Sequence, residues 1–293
     1  MDLSDLRIFR TVAEEGGIVR ASRTLHRVPS NVTTRIKQLE TSLGAQLFFR
    51  DKQRIYLSPS GELLLAYATR LLVLADEARD AVGSGSPSGT LRLGALESTT
   101  ASRLSSVFVA FHKLYPEVRI ELTTGTNDAL VAALLERRIE AAFVAEAPAN
   151  SELSHLPLFE ERLVLITSLA HRSVASVRDV AGDSVIAFPT GCAYRRVVER
   201  WFGQDGLASV RVMELSSYHA MVACVAAGAG IAVVPESVLD TVQSAHVARH
   251  ALPKVLSRRV TPLIWRTEQQ GAALVRLRDL AHRLSGRTRR PTT

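Results

Sequence analysis

The sequence predicts a helical winged helix-turn-helix domain, then a linker helix, then an α/β module of two Rossmann-like lobes. Two patterns indicate this fold class. Short helical segments and a β-prone hairpin fill residues 1–58, and beyond the Gly/Ser-rich stretch 83–89 short apolar strands alternate with helical stretches. We therefore expect a DNA-binding type of domain over 1–58, a linker helix and hinge over 59–89, and an α/β domain over 90–293.

Composition limits the class of protein. The 293 residues are enough for two or three domains, and 46% apolar with 22% charged residues is typical of a globular chain. The apolar runs are shorter than the roughly 18 residues of a membrane span, and the first residues lack the apolar segment of a secretory signal. We expect a cytoplasmic protein without a membrane contact. Cys192 and Cys224 are far apart and have no CxxC spacing, so neither a disulfide nor a metal site is predicted.

Local start and stop signals define the helix-turn-helix. A first helix ends at Gly16, a second covers 19–25, and the short turn HRVP leads into a third helix that has Pro29 at its first position and ends at Gly44. Helix, short turn and helix is the arrangement in which the later helix enters a DNA major groove.

The outward face of the third helix is polar and almost free of acids, whereas Val32, Ile36, Leu39 and Leu43 are predicted to form its buried apolar face. Residues 20–54 contain eight bases and two acids. A solvated face normally mixes both signs, so this excess favours contact with phosphates and base edges. A hairpin, or wing, is predicted over 47–57. The candidate DNA-binding residues are Pro29, Ser30, Asn31, Thr33, Thr34, Arg35, Lys37, Arg50 and Arg54.

The linker helix is predicted to start at Ser58-Pro59, as cap and first residue. Its apolar residues recur at heptad spacing, at Leu64, Ala68, Leu71, Ala75, Ala78 and Val82. Such a seam favours pairing with a second copy of the chain, and packing on its own domain is the alternative. A two-fold dimer would require a near-palindromic DNA site.

Alternation of strands and helices beyond the linker predicts parallel sheets covered by helices. About 200 residues suffice for two lobes. The final helix follows the last strand and is expected to return to the first lobe. We therefore assign lobe I to 90–161 and 267–293, and lobe II to 162–266.

Polar residues occur at four predicted strand ends. The last group lies directly before the helical stretch MVACVAAG. Ligands bind beyond the carboxyl ends of strands in open α/β sheets, where helix N-termini offer free N–H groups. Each residue alone is equally explained as a cap or packing residue, but their shared position favours a small-molecule pocket. The candidates are Glu97, Ser98, Thr99, Thr100, Thr126, Asn127, Cys192, Tyr194, Tyr218 and His219. No catalytic residue, metal or cofactor is predicted, because no triad, nucleotide motif or zinc motif is present.

Residues 2–61 resemble the DNA-binding domain of LysR-type transcriptional regulators, most clearly in DLSDLRIFRTVAEEGG, RVPSNVTTRIKQLE and RIYLSPSG. The family usually opens its recognition helix with Gln and carries a Ser-Arg pair one turn later, where this chain has Pro29 and Thr33-Thr34. The departure implies an unusual operator and more dependence on Arg35 and Lys37. The remaining 200 or so residues resemble the family's effector domain, which is similar to periplasmic binding proteins, and Ser98 to Thr100 match a segment that holds effector carboxylates.

Within the family, GALEST, CAYRR and SYHAMVACVAAGAGIAVVP are similar to enterobacterial regulators of putrescine utilisation. This likeness implies an amine effector, such as putrescine or a catabolite, near Glu97, Glu146 or Glu214. The resemblance implies a regulator and not an enzyme, with double-stranded DNA, a small-molecule effector and further copies of the chain (homodimer or homotetramer) as partners, and RNA polymerase as a candidate. Alternatives are a binding or enzymatic α/β protein whose N-terminal helices only pack, or a DNA-bending protein without a ligand.

Overall fold

The computed structural model describes residues 1–51, 54–82, 87–204, 211–242, 244–269 and 271–285. Contacts along the chain fall into two compact units, Met1–Ser84 and Gly85–Thr293. Among the described helices, none has both the length and the apolar composition needed to cross a membrane.

The first unit is a winged helix-turn-helix. Its elements are α1 (Leu3–Glu15), α2 (Ile18–Thr24), α3 (Pro29–Leu43), β1 (Phe48–Asp51), β2 (Arg54–Leu57) and α4 (Pro59–Val82). Gly16 and Gly44 end α1 and α3 in the left-handed conformation, with φ of 61° and 62°, as their positions predicted. The turn before α3 passes through His26, which also has a positive φ of 51°.

Helices α1, α2 and α3 share one apolar core with β1 and the start of α4. Three of the four predicted inner residues of α3 are buried there, whereas Leu43, in the last turn, is 39% exposed. The largest members of the core are Phe9, Ile36, Leu39, Leu47 and Leu72. Phe9 and Phe48 pack with ring centroids 5.2 Å apart. This core fixes the orientation of α3, so that its polar face points outward.

The linker helix α4 begins as predicted, with the Ser58 hydroxyl accepting a hydrogen bond from the Gly61 N–H at 3.0 Å. The predicted heptad seam is only partly available for a partner. Leu64 and Ala68 pack on the core of the first unit. The exposed apolar stripe of α4 lies beside them and consists of Leu63, Tyr67, Leu71 and Leu74.

The second unit is an α/β module of two lobes. The first lobe contains β3 (Gly89–Ala95), α5 (Glu97–Thr99), a π-helical turn (Thr100–Leu104), α6 (Ser105–Leu114), β4 (Val118–Thr124), α7 (Asn127–Leu135), β5 (Ala141–Phe143) and the last helix, α12 (Ala272–Ser285). The second lobe contains a 3₁₀ turn (Val177–Val180), β7 (Val185–Ala187), α8 (Ala193–Gln204), β8 (Val212–Glu214), α9 (Tyr218–Ala226), β9 (Ala232–Pro235), α10 (Glu236–Leu239), β10 (Val247–Ala251) and α11 (Lys254–Ser257). Two long strands, β6 (Leu153–Ser168) and β11 (Arg258–Arg266), connect the lobes.

The sheets are mixed rather than parallel throughout, which corrects one expectation from the sequence. Strand β3 pairs in parallel with β4 and β5, and β7 pairs in parallel with β8. In contrast, β6 and β11 run antiparallel to each other, with a register shift between Thr261 and Pro262. Strand β6 also pairs antiparallel with β9 and β10. A strand that crosses from one lobe to the other serves both sheets, a role that local alternation does not reveal.

Two faces of the first-lobe sheet enter different cores. Ala141 and Phe143 of β5 pack with α6 and α12, through Phe111, Leu274 and Leu277. The alternate residues of β5 belong to a core that extends into the second lobe and includes Val197 and Trp201 of α8. The last helix therefore packs on the first lobe, although β11 leads into it from the second.

Candidate functional site

The recognition helix α3 presents the predicted polar surface. Pro29, Ser30, Asn31, Thr34 and Lys37 are exposed, and Thr33 is half-buried. The Thr33 and Thr34 hydroxyls donate to the carbonyl oxygens of Pro29 and Ser30, at 2.9 and 3.0 Å. Their oxygen lone pairs and methyl groups therefore remain available to base edges.

The single acid of α3 does not weaken this surface. Glu40 turns toward the wing, where its carboxylate accepts hydrogen bonds from the Leu47 and Phe48 N–H groups at 2.8 and 3.3 Å. Asn31 accepts a hydrogen bond from the Arg27 guanidinium at 3.3 Å. Wing strands β1 and β2 pair in the register Arg50 with Ile55. The side chains of Arg50 and Arg54 lie outside the described residues.

Arg35 contacts α1, whereas the sequence predicted that its side chain contacts DNA. Its guanidinium forms ion pairs with Asp5 at 2.6 Å and with Asp2 at 3.2 Å. The pKa of Asp2 lies below its usual value, first because the Asp5 N–H bonds its carboxylate and further because of Arg35. Arg35 thus joins α3 to α1, and its charge is largely neutralised on the protein.

A cavity lies between the two lobes of the second unit, at the predicted strand ends. It measures about 20 Å³, roughly the space of one water molecule. The lining residues come from both lobes, and they are Leu96, Glu97, Ser98, Gly125, Thr126, Ala145, Phe188, Cys192, Ala193, Tyr194 and Tyr218.

Six of the ten sequence candidates line this cavity, and four do not. The buried Thr99 and the half-buried Thr100 lie behind the lining, and the Thr100 hydroxyl donates to the Leu96 carbonyl at 3.1 Å. His219 is exposed, close enough to Glu97 to act on its charge. Asn127 is buried and its side-chain oxygen accepts the Ala145 and Glu146 N–H groups, both at 3.1 Å. It therefore holds the backbone behind the cavity.

Sequence reasoning missed the apolar half of the lining. Phe188 packs on Tyr218 with ring centroids 4.8 Å apart, and Leu96, Gly125, Ala145 and Ala193 complete the wall. Leu96 and Phe188 lie at the ends of two strands whose polar neighbours were predicted to line the pocket. Their position at a strand end is the only feature of the sequence that could have identified them as lining residues, because an apolar residue there looks the same as a residue of the hydrophobic core.

Glu97 is the charged group of the cavity. Burial raises the pKa of its carboxyl above the usual range, while the Tyr218 N–H and the His219 side chain act in the opposite direction. Its Oε2 atom is buried without a hydrogen-bond partner among the described residues. An ionised oxygen in this state is costly unless a donor or cation reaches it.

The other titratable lining groups are neutral. Burial raises the pKa of the Cys192 thiol, so this cysteine is not an activated nucleophile. Burial and the nearby Glu161 carboxylate raise the pKa of Tyr194. Ser98 and Thr261 lie close enough to the Tyr194 hydroxyl to lower its pKa, although neither forms a hydrogen bond of good geometry with it among the described residues.

Two of the three acids that were expected to bind an amine form ion pairs with arginines. Arg196 of α8 lies 3.3 Å from Glu146, and it lies 3.2 Å from Asp128 of α7. Arg195 lies 2.5 Å from Glu214. Glu146 and Glu214 are therefore paired with arginines, whereas Glu97 forms no ion pair with an arginine among the described residues.

A buried carboxylate at the lobe connection was not predicted from the sequence. Glu161 of β6 accepts hydrogen bonds from Arg103 of the π-helical turn and from Ser237 of α10, both at 2.7 Å. Ser237 also donates to Ser102 at 3.2 Å. Because Glu161 also acts on Tyr194, it connects the cavity wall with both lobes. In the described residues no cluster of His, Cys, Asp and Glu is suited to a metal ion.

A helix-turn-helix whose third helix presents a polar, acid-poor face in one unit, and a small cavity with polar lining between two lobes in the other, are the features of a DNA-binding regulator with an effector-binding domain. The chain belongs to the LysR family of bacterial transcriptional regulators. The family description "Bacterial regulatory helix-turn-helix protein, lysR family" matches residues 3–62, and "LysR substrate binding domain" matches residues 84–285. This confirms the family and the fold class predicted from the sequence.

Known relatives agree with this assignment. The chain is 35% identical over 240 residues to the HTH-type transcriptional regulator GltR of Bacillus subtilis (strain 168). The aligned residues cover 82% of this chain and 81% of that protein. It is 36% identical over 270 residues to the uncharacterized HTH-type transcriptional regulator YusT of the same organism, covering 92% and 90%. The fold is similar to full-length CbnR complexed with its target DNA, with a TM-score of 0.69, 25% identity and coverage of 97% and 100%.

These relatives are regulators and not enzymes, as predicted. The two Bacillus relatives have names that do not mention putrescine, so the expected likeness to enterobacterial putrescine regulators finds no support in them. The class of effector therefore depends on the chemistry of the cavity.

Proposed function

We propose that this LysR-family regulator responds to a small molecule that carries a protonated amine, with Glu97 as its counter-ion. The single observation that carries the proposal is the half-buried Glu97 carboxylate, which has an unpartnered oxygen in a cavity whose described lining includes no cationic side chain. An ammonium group placed there would offset the cost of burying the charge.

The neighbouring polar groups suit the rest of such a ligand. The Tyr194 hydroxyl and the buried Ser98 offer hydrogen bonds, and Phe188 and Leu96 offer apolar contact for a carbon chain. A dicarboxylate would instead bring like charge toward Glu97.

Binding would require the cavity to enlarge, because about 20 Å³ holds no more than roughly one water molecule. Movement of the second lobe about the β6 and β11 connections would enlarge it. The effector would shift the balance between closed and open arrangements by its differential affinity for the two.

On the DNA side, we place α3 in a major groove, with Ser30, Asn31, Thr33 and Thr34 at base edges and Lys37 at a phosphate. The exposed stripe of α4 would pair two chains, with tetramers formed through further contacts, and the operator would be near-palindromic. We retain the division into 1–58, 59–89 and 90–293 for these roles.

Thermal-shift measurements on the full chain test the effector class. We expect 1,4-diaminobutane or n-butylamine to raise the melting temperature and succinate to leave it unchanged, because only a ligand of the native state stabilises it. Glu97→Gln should abolish the amine effect, whereas the control Glu199→Gln, which alters an ion pair with Arg195 within the second lobe, should retain it. Stabilisation by succinate, or an amine effect that survives Glu97→Gln, would refute the proposal.

A further inference from the structure

Val28 occupies the N-cap of the recognition helix and is one of the more exposed apolar side chains of the first unit, at 64%. Its backbone is extended, with φ of −74° and ψ of 143°, the conformation that a residue before proline adopts. The valine therefore projects from the tip of α3, immediately before Pro29.

Neither helix capping nor core packing explains a valine at this position. Ser, Thr, Asp and Asn are the favoured N-cap residues because their side chains bond the free N–H groups, and valine is among the poorest. No side-chain cap forms here. The exposed side chain also contributes no burial to the core formed by Val32 and Ile36.

The charges of the domain that presents Val28 indicate the kind of partner it meets. Arg23, Arg27 and Lys37 are exposed on this helix-turn-helix, Arg27 directly before Val28 in the chain, and the one acid of α3, Glu40, is bonded to the wing. A domain with several exposed cations and an exposed apolar side chain at the start of α3 suits an anionic partner with an apolar feature. In a DNA major groove, that feature is the 5-methyl group of thymine.

We propose that Val28 determines part of the operator sequence by contacting the 5-methyl group of a thymine in each half-site. The inference rests on the proposed placement of α3 in the major groove. It adds a base-reading residue to those predicted from the sequence, at a position where the helix N-terminus approaches base edges.

The test uses the full-length protein and an operator selected from a randomised duplex library. Each thymine of the selected half-sites is replaced by deoxyuridine, which removes only the methyl group. We expect one thymine per half-site at which the wild type binds the deoxyuridine duplex about fourfold more weakly, the value of one buried methyl-sized group. Val28→Ser should bind the two duplexes equally, and Val28→Ala, which keeps one methyl group, should show a reduced ratio.

Two variants serve as controls for correct folding. Val28→Ser restores a capping side chain and is expected to raise the melting temperature of the first unit, so a loss of thymine preference in it cannot result from unfolding. Val19→Ala, at a second exposed valine of the same unit, should keep the wild-type ratio.

Two results would overturn the inference. If the wild type shows no thymine whose methyl group matters, or if Val28→Ser keeps the wild-type ratio, Val28 reads no methyl group while the placement of α3 stands. If the wild type enriches no duplex at low salt, the placement of α3 fails and the role of Val28 fails with it.

Discussion

Arg35 of the recognition helix forms an ion pair with Asp5 of α1 at 2.6 Å. The Asp5 carboxylate is nearly buried, at 12% exposed, whereas 29% of the Arg35 side chain is exposed. The contact fixes α3 against α1, whereas Lys37 is exposed. Arg35 therefore stabilises the unit, and we propose that Lys37 is the base of α3 that meets DNA.

Substituting these two bases should separate stability from DNA affinity. Arg35→Ala is expected to lower the stability of the first unit by about 1 kcal/mol, because a partly exposed ion pair and its hydrogen bonds are lost. Lys37→Ala should leave the melting temperature unchanged. It should weaken binding to all duplexes alike and reduce the slope of log affinity against log salt by about 1.

Melting curves and binding titrations at two salt concentrations measure both effects. A destabilised Lys37→Ala protein, or an Arg35→Ala protein with full stability and a reduced salt slope, would reverse these assignments.

Glu97→Gln should show a pH-dependent stabilisation. Burial raises the pKa of Glu97 in the folded protein, so the folded state holds this proton more tightly than the unfolded state does. The contribution of the protonated Glu97 to the free energy of unfolding is fully present below the unfolded pKa of glutamate, about 4.3. This contribution is lost as pH rises through the folded pKa. We therefore expect Glu97→Gln to melt higher than the wild type at pH 7 to 8 and at the same temperature near pH 4.

The comparison is melting temperature against pH for wild type and Glu97→Gln. Glu199→Gln is the control, because Glu199 is paired with Arg195 within the second lobe and outside the lining. A variant that melts lower than the wild type at neutral pH would show that Glu97 stabilises the empty fold, contrary to its proposed role in ligand binding.

Local signals made the helix-turn-helix predictable, and distant contacts limited the rest. Pro29 and Gly44 fix the two ends of α3 within a few residues of chain, so sequence alone located the helix. The partner of Arg35 lies about thirty positions away in α1, and nothing near Arg35 indicates it. The lining of the cavity was predictable to the same extent. Polar residues at strand ends, such as Glu97, could be identified from the sequence, whereas the apolar Phe188 could not.

Asn127 illustrates a residue whose type suggested a ligand contact but whose oxygen serves the backbone. It is 5% exposed, and it accepts the N–H groups of Ala145 and Glu146, each at 3.1 Å. Asn127→Ala would leave two donors of this buried segment unpaired, at a cost of roughly 1–3 kcal/mol. Asn127→Asp keeps an acceptor and should retain more of the stability.

Thermal denaturation compares the two variants, and the amine-induced shift serves as the second measurement. Asn127→Ala should melt lower yet still respond to amine at temperatures where it is folded. A complete loss of the amine response in both variants, without loss of stability, would instead assign Asn127 to the ligand.

Arg196 provides the last test, because its ion pairs connect α8 of the second lobe to Asp128 and Glu146 of the first, at 3.2 and 3.3 Å. These contacts favour a closed cavity. Arg196→Ala should shift the balance toward an open arrangement and accelerate ligand release. Exposed pairs contribute roughly 0.2–1 kcal/mol, so we expect amine affinity to fall about twofold to fivefold.

Arg195→Ala is the matched control, since Arg195 pairs with Glu199 and Glu214 inside the second lobe. It removes the same charge from the same helix without releasing the first lobe, and its amine affinity should remain at the wild-type value. Titrations at low and high salt add a second criterion. Screening weakens the Arg196 pairs in the wild type, so the difference between wild type and Arg196→Ala should shrink as salt rises, and an equal loss in both arginine variants would show that net charge, and not closure, controls affinity.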